Sequence, residues 1–333
     1  MRRNIFKNER MEDNHLFIGG AGFIGSAVIH EILKNPSNKN RVFVLEPEAS
    51  NIQRLAGLHL NVLRGSISDV DYIEEIVRLH HITKIVHLVS TLVPGGGYEE
   101  FKEEFENVIF PTMRLIQLCS RLNLQFVYFS SGGTVYGERN TLVPFVETDP
   151  KEPISYYGLS KQIIENSILF ENRISNLQYL ILRPSNPYGC GQDMHGRQGL
   201  IAVAIGCILS GEPIKIWGDG SSVRDYIFIE DLAKIVTRLL SDNVRNTIVN
   251  IGSNKGYSIN EVLALFRKIV DEEIKVEYLS SRKVDVHNMV LDTTRLKSLV
   301  SIDLTPIDKG IELFYKYVKN RQQGAEPETN IFL

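Results

Sequence analysis

The chain has 333 residues, 43% of them hydrophobic and 23% charged, with a formal net charge of -3. That length suits one large domain or two modest ones around a sizeable core, and the composition is that of an ordinary soluble globular protein. The charge argues against a nucleic-acid partner, which needs a basic surface. Cys119, Cys190 and Cys207 fall in no metal-type spacing and read as reduced thiols of a cytoplasmic protein that holds no metal. No apolar stretch is long enough to span a membrane, the run over residues 199–209 being too short. Residues 1–13 are charged and polar, lack the apolar core of a signal peptide, and read as a flexible leader.

The first half alternates strands and helices. Strands are predicted over residues 15–18, 41–45, 61–63, 84–89, 125–129 and 178–182. Between them lie helices over 23–33 and about 71–79, a long amphipathic stretch over 98–122, and a helix carrying Tyr157. Short β-branched runs without strict alternation suit strands covered on both faces, as in a parallel sheet. The fold class is α/β, a doubly wound parallel sheet (Rossmann) followed by a smaller C-terminal α/β unit. After Arg183-Pro184 the rhythm changes to Gly-, Pro- and Asn-rich loops, a helix near 200–209 and a strand over 214–217. Ser258-Ile-Asn-Glu261 is a capping box opening a helix through Val270, and Thr305-Pro306 opens the last helix, ending near Lys319 before a polar tail.

Gly19-Gly-Ala-Gly-Phe-Ile-Gly25 follows the first strand and opens a helix, the context that a dinucleotide-binding fingerprint requires. Gly19 permits the tight turn, Gly22 lets the pyrophosphate approach the backbone, and Gly25 allows close helix–strand packing. The helix N-terminus supplies free N–H groups, those of Phe23 and Ile24 included. Glu46 ends the second strand about twenty residues on; a carboxylate there accepts both ribose hydroxyls and repels a 2′-phosphate, which favours NAD over NADP.

Far downstream, Tyr157 is followed four positions later by Lys161, so the phenol and the ammonium share one helix face. A free tyrosine, with a pKa near ~10, is a poor base at neutral pH. One positive charge at ~5 Å in an effective dielectric of ~20 favours the phenolate by roughly 3 kcal/mol, about two pKa units. Lys161 and an oxidised nicotinamide are therefore expected to bring Tyr157 towards neutrality, where it takes a proton from a sugar hydroxyl. A Tyr-x-x-x-Lys pair alone is a weak signal, since a chain of this length shows on the order of one by chance. Its partnership with the glycine loop gives it weight.

These motifs, together with Arg64-Gly-Ser-Ile-Ser-Asp69, Val86-His-Leu-Val89, Asn107-Val108, Phe129-Ser-Ser-Gly-Gly-Thr-Val-Tyr-Gly137, Leu182-Arg-Pro-Ser-Asn-Pro-Tyr-Gly189, Trp217-Gly-Asp-Gly220, Arg224-Asp-Tyr-Ile-Phe-Ile-Glu-Asp231 and Arg282-x-x-Asp285-Val286, stand in an order and spacing that resemble the extended short-chain dehydrogenase/reductase superfamily. The branch is that of the nucleotide-sugar enzymes typified by UDP-glucose 4-epimerases, and the resemblance covers nearly all of the chain after residue 13. It implies that Tyr157 is the catalytic base and that Lys161 binds the nicotinamide ribose. It places Ser66 and Ile67 by the adenine, and Leu88, Val89 and Ser90 along the cofactor cleft. Asn107, Ser130 and Pro184 are placed near the cofactor's reacting end. Asn186, Arg224 and Arg282 are placed on the substrate, the two arginines gripping its diphosphate with bidentate guanidinium groups; a surface ion pair with Asp225 or Asp285 is the plainer reading of each.

The resemblance also divides the chain into an NAD-binding unit over residues 14–183, rejoined by a segment at about 224–252, and a nucleotide-sugar-binding unit over 184–333. Its departures carry information. The 4-epimerases typically have Ser-Ser-Ser-Ala-Thr after the fifth strand, and the third Ser bonds the reacting sugar oxygen. Here that position is Gly132, with Thr134 the nearest replacement and Ser131 the second. The 4,6-dehydratases have Thr-Asp-Glu in this run, and Gly132-Gly133-Thr134 offers neither acid nor base for water elimination. Pro94-Gly-Gly-Gly97 also departs from the usual pattern and either alters the sugar pocket or is a flexible lid with no contact of its own.

The implied activity is NAD-dependent epimerisation of a UDP-hexose at C4 through a 4-keto sugar. A dTDP-4-keto-6-deoxyhexose reductase using NAD(P)H is the first alternative, and a nucleotide-sensing regulator without catalysis the second. The family further implies a homodimer built from the 98–122 stretch and the Tyr157 helix, with Phe101, Phe105, Ile109, Met113, Ile116, Ile163, Ile164 and Ile168 supplying their apolar faces.

Overall fold

Every residue of Val42–Glu46 and of Gln125–Phe129 is buried, as strands covered on both faces require. The structure, a computed structural model, describes residues 13–139, 141, 143–196, 198–280 and 286–322. The leader up to residue 12, Arg282, Asp285 and the polar tail after Gln322 lie outside the described residues.

In chain order come β1 (Asn14–Ile18), α1 (Phe23–Leu33), β2 (Val42–Glu46), β3 (Asn61–Arg64), α2 (Val70–Leu79) and β4 (Ile82–His87). α3 (Tyr98–Glu104), a π-helical turn (Phe105–Ile109) and α4 (Phe110–Arg121) lead to β5 (Gln125–Phe129), α5 (Tyr156–Ser175) and β6 (Gln178–Pro184). There follow β7 (Asn186–Tyr188), α6 (Leu200–Ser210), β8 (Ile214–Trp217), β9 (Val223–Phe228), α7 (Ile229–Ser241) and β10 (Thr247–Ile251). The chain continues with β11 (Gly256–Ser258), α8 (Ile259–Ile269), β12 (Val276–Leu279), β13 (Asn288–Met289), α9 (Thr294–Leu299) and α10 (Ile307–Gln322).

Seven parallel strands form one sheet in the order β10-β6-β5-β4-β1-β2-β3. Phe17, Val44, Val86, Val127 and Leu182 bury one face against α1 and α7, while Leu16, Leu45, Ile85, Phe126 and Ile181 bury the other against α2, α4 and α5. Strand order reverses between β1 and β4, which opens a crevice at the carboxyl ends of the strands, where ligands of such sheets bind. The chain returns to this sheet with α7 and β10, after β9 has joined β7, β11 and β13 in a smaller mixed sheet. β8 and β12 make a third pair, and a separate core gathers Ile201, Ile205, Phe266 and Phe314 from α6, α8 and α10. Among the described residues no helix is long and apolar enough to cross a membrane.

The elements lie close to their predicted places, with three differences. β4 stops at His87, so Leu88 and Val89 belong to the loop that follows it. The 98–122 stretch is not one α-helix: Pro111, without an N–H and with a ring that crowds the carbonyl four residues back, sits at the start of α4 just past the π-helical turn. The 223–251 segment holds a strand, a helix and a strand that periodicity did not separate, because β9 opens with the charged pair Arg224 and Asp225.

The strand ends are locked by a buried ion pair. Arg183 on β6 binds Glu165 on α5 through two bonds, Nη2 to Oε2 at 2.6 Å and Nε to Oε1 at 2.9 Å. Ser130 donates to Oε1 at 2.6 Å and Lys151 to Oε2 at 3.1 Å, while Arg183 Nη1 reaches the Tyr136 hydroxyl at 2.7 Å. Glu165→Ala leaves the guanidinium buried without its partner, and urea unfolding should show a loss of about 3–5 kcal/mol. A loss below about 1 kcal/mol, the scale of an exposed pair, would show that this pair does not hold the strand ends.

Candidate active site

β1 turns at Gly19 with φ +79°, a conformation that L side chains rarely adopt, and a Cβ there would sit 3.0 Å from Val89 Cγ2. α1 begins after Gly22 with no side-chain cap, so the N–H groups of Phe23, Ile24 and Gly25 open its N-terminus to an anion. Glu46, almost fully buried at the end of β2, accepts the Ala21 N–H at 2.7 Å and so stands directly beside the loop. A turn free of side chains, a helix N-terminus and a strand-end carboxylate suit the pyrophosphate and ribose of a dinucleotide. Val89 borders the loop and Leu88 donates its N–H to Ile18 O at 3.0 Å. Ile67 packs into the sheet's core at the next strand end, while Ser66 is exposed and its hydroxyl accepts the Ser68 N–H.

The inner end of the crevice is built by α5. Ser155 caps it, accepting the Gly158 N–H at 3.1 Å, which puts Tyr157 in the first turn and Lys161 one turn further on. The Ser131 side chain lies beside the Tyr157 phenol and favours its charged form. Lys161 is buried, donates to Phe129 O at 3.3 Å, and holds its ammonium 5.3 Å from the centre of the Tyr157 ring and 5.3 Å from that of Tyr128. The electrostatics differ from the expectation. Burial and, after it, the Glu104 carboxylate push Tyr157 up to about 12, with only the neighbouring Ser131 side chain acting against them. Burial likewise brings Lys161 down to about 8, against Glu104 and Glu165, which both favour its charged form. In the protein by itself, desolvation outweighs any lowering of the phenol by Lys161.

Several positions named for the site have contacts that bear on their proposed roles. A Cβ on Gly132 would lie 2.5 Å from Leu291 Cδ1 and 2.9 Å from Arg183 O, so a side chain there would press on Leu291 and the backbone of β6. Ser131 reaches Tyr157, whereas Thr134 Oγ1 is buried with no hydrogen-bond partner among the described residues. Ser130 turns its hydroxyl inward to Glu165, so its side chain is structural. Asn107 is exposed and bonds Glu103 O at 3.0 Å, on the outside of the helix. The π-helical turn adds a residue to that turn and rotates Asn107 outward, and the residue facing the crevice is Glu104, which sequence reasoning missed. Pro111 within a helical pattern was the available signal.

On the substrate side Pro184 ends β6 and its carbonyl receives the Gly132 N–H at 2.8 Å. Asn186 donates to Asp225 O at 2.8 Å, and its Oδ1 lies 3.9 Å from the Cβ position of Gly133. Asn186, Tyr188, Leu200, Arg224 and Tyr226 line a cavity of about 190 Å³. Arg224 donates to Val223 O at 2.9 Å. Asp225 turns its carboxylate to the other side of β9, where it accepts the N–H groups of Ser253, Asn254 and Leu291. Burial still pushes Asp225 up to about 6. Arg282 lies outside the described residues.

Residues 16–252 match the model of the NAD dependent epimerase/dehydratase family. A putative UDP-glucose 4-epimerase of Methanocaldococcus jannaschii is 29% identical over 92% of this chain and 99% of its own length. A dTDP-4-dehydro-6-deoxyglucose reductase of Escherichia coli is also 29% identical, over 91% and 97%. The crystal structure of the UDP-glucose 4-epimerase of Thermotoga maritima with UDP-glucose superposes with a TM-score of 0.85 at 30% identity, covering 93% of this chain and 99% of that one. The glycine cradle, the strand-end acid and the Tyr–Lys helix all fall inside the matched span, and by that match the protein is a member of the NAD-dependent epimerase/dehydratase family, with NAD as its cofactor.

Proposed function

We propose that the protein epimerises a nucleotide sugar, a UDP-hexose at C4, through a 4-keto sugar. The observation that carries this reading is the Tyr157 ring 5.3 Å from the buried Lys161 ammonium, with Ser131 beside the phenol, in a site where Gly132-Gly133-Thr134 supplies no acid–base pair for dehydration. NAD, when bound, supplies the reversible two-electron acceptor. Tyr157 accepts the proton of the C4 hydroxyl and returns it to the same oxygen once the keto sugar has presented its other face to the cofactor's side of the site. Ser131 favours the charged form of the phenol, and Lys161 keeps a positive charge near it. Asn186 and Arg224 bind the nucleotide diphosphate, which keeps the keto sugar captive while its hexose turns over. One observation favours a second reading, a dTDP-4-keto-6-deoxyhexose reductase: the E. coli reductase matches this chain at the same identity as the M. jannaschii protein. Incubation with a panel of UDP- and dTDP-sugars, with products resolved by NMR, separates the two. An epimerase interconverts C4 epimers with its own bound NAD, whereas a reductase consumes added NADH or NADPH one for one.

Tyr157→Phe should lower turnover by about 10²–10⁴-fold while NAD stays bound. Ser131→Ala should lower it by about tenfold or more, through loss of the hydroxyl beside the phenol. Thr134→Val should stay near wild type, because its hydroxyl touches no other group of the site. Steady-state kinetics on the three variants check the assignment; a larger loss in Thr134→Val than in Ser131→Ala would return the role to Thr134.

Glu46 bears on cofactor choice. Its carboxylate both holds the glycine loop and stands where a 2′-phosphate would have to enter. Glu46→Ala is expected to weaken NAD binding and narrow the preference over NADP, measured by calorimetry with each. A wild type that already prefers NADP would show the assignment to be wrong.

The proposed assembly is a homodimer through the α3–α4 and α5 segments, and of the apolar residues named for it from the sequence only Phe105 is left facing outward. Ile109, Ile116, Ile164 and Ile168 are buried in the chain's own core, and Phe101, Met113 and Ile163 pack partly against it. The outward apolar surface of these segments is carried by Phe105, Phe110, Phe170 and Ile174, the last three more than half exposed. Light scattering at micromolar concentration should give about twice the 37.8 kDa chain mass. Phe110→Glu with Phe170→Glu should return the monomer; a wild type that is already monomeric refutes the dimer.

A further inference from the structure

We infer that Glu104 is a positioning residue of the reaction, a buried carboxylate that clamps the cofactor loop to α5 and serves as the countercharge of the Tyr157–Lys161 pair. The inference deepens the reading above, in that it takes Tyr157 as the base.

Glu104 is the last residue of α3, immediately before the π-helical turn, and is only 1% exposed. Its two oxygens are fully engaged. Oε1 accepts from Ser90 Oγ at 3.0 Å and from Ser160 Oγ at 3.4 Å. Oε2 accepts from the Thr91 N–H at 2.8 Å and from Thr91 Oγ1 at 2.5 Å. One carboxylate thus joins the loop that leaves β4 along the crevice, the α3 segment, and the turn of α5 between Tyr157 and Lys161. All four donors are neutral groups. They satisfy the lone pairs but do not cancel the charge, so its field extends to the titratable groups nearby.

Those groups are Tyr157 and Lys161 on α5 and Tyr128 on β5. Two further buried titratable groups act on Lys161 or are acted on by it, Glu165 on α5 and His87 at the end of β4. Glu165 is held by Arg183 and Lys151. His87, bonded to Thr112 Oγ1 at 2.9 Å, is kept neutral by burial, which brings it to about 3 with help from Lys161. Glu104 acts on both members of the catalytic pair in opposite senses. It disfavours the Tyr157 phenolate and favours the Lys161 ammonium. With that charge removed, the phenolate forms at lower pH and Lys161 loses its proton at lower pH. Both limbs of a bell-shaped rate profile then move the same way, to acid.

The test uses Glu104→Gln, which is nearly isosteric and can still accept from the Thr91 N–H while donating to Ser90 Oγ. The first readout needs no substrate: the titration of the Lys161 ammonium in lysine-labelled protein by heteronuclear NMR, assigned with Lys161→Met. Its midpoint, about 8 in the wild type, should fall by about one pH unit. The second is kcat against pH with whichever nucleotide sugar the wild type turns over, where both limbs should shift to acid by a similar amount. Glu104→Asp keeps the charge on a shorter arm; it should hold both limbs near their wild-type positions and lose turnover, about tenfold, through misplacement of the loop. An unmoved Lys161 midpoint in Glu104→Gln, or a shift in Glu104→Asp as large as in Glu104→Gln, overturns the inference. Failure of the epimerase reading shows differently, as a wild type without turnover on the sugar panel, and leaves the NMR titration to decide on Glu104.

Discussion

The Glu165–Arg183 pair is the interaction on which the rest of the site depends. Its two bonds tie α5, which carries Tyr157 and Lys161, to β6, whose end leads into Asn186. The same carboxylate holds Ser130, and so fixes the end of β5 from which Ser131 extends. Arg183 passes the order on to Tyr136, and Tyr136 to Asn250 Oδ1 at 2.6 Å on β10. A chain of bonds therefore runs across the carboxyl ends of three adjacent strands and beneath α5. Charges this deep are expensive to desolvate and are tolerated only when every polar atom has a partner. That condition is met here, and its consequence is rigidity where proton transfer needs fixed distances.

Desolvation also sets the chemistry of the crevice. The same low dielectric that strengthens the ion pair pushes Tyr157 up and Lys161 down. A tyrosine with a lysine one helical turn away is usually read as an activated base. Here the geometry supplies that lysine but sets it between two carboxylates, Glu104 and Glu165, the first of which also acts on Tyr157. The buried cluster holds Lys151, Lys161 and Arg183 against Glu104 and Glu165 before any ligand enters, and the protonation of the pair is a property of the whole cluster.

The π-helical turn shows how a short local feature redirects a family pattern. Pro111 cannot donate to the carbonyl four residues back, and the helix relieves the conflict by widening one turn. Widening shifts the helical phase of everything before it relative to α4. Asn107, which motif resemblance assigns to the active site, is turned to solvent, and Glu104 is turned in. A similar lesson attaches to Gly132: resemblance to the 4-epimerase run made it a lost serine, whereas the backbone aims that position at Leu291.

Much of the protein was legible in its sequence because the signals are local. Apolar runs too short for helices and too continuous for half-exposed strands dictated a doubly covered sheet, and Gly19 to Gly25 between a strand and a helix dictated a phosphate cradle. Tyr157 and Lys161 share a face by helical period alone, and Ser258 with Glu261 forms the capping box that their spacing predicts. Whatever depends on direction in three dimensions was decided only by the tertiary structure. Which hydroxyl meets Tyr157, which helical residue faces the crevice, and which apolar side chains of α4 and α5 are spare after the core is filled all depend on packing between segments distant in the chain. The pKa directions belong to the same class, because desolvation is set by what surrounds a group and not by its neighbours in sequence. Residue type and period determined which chemistry the chain carries; burial determined where each group points and in which protonation state it waits.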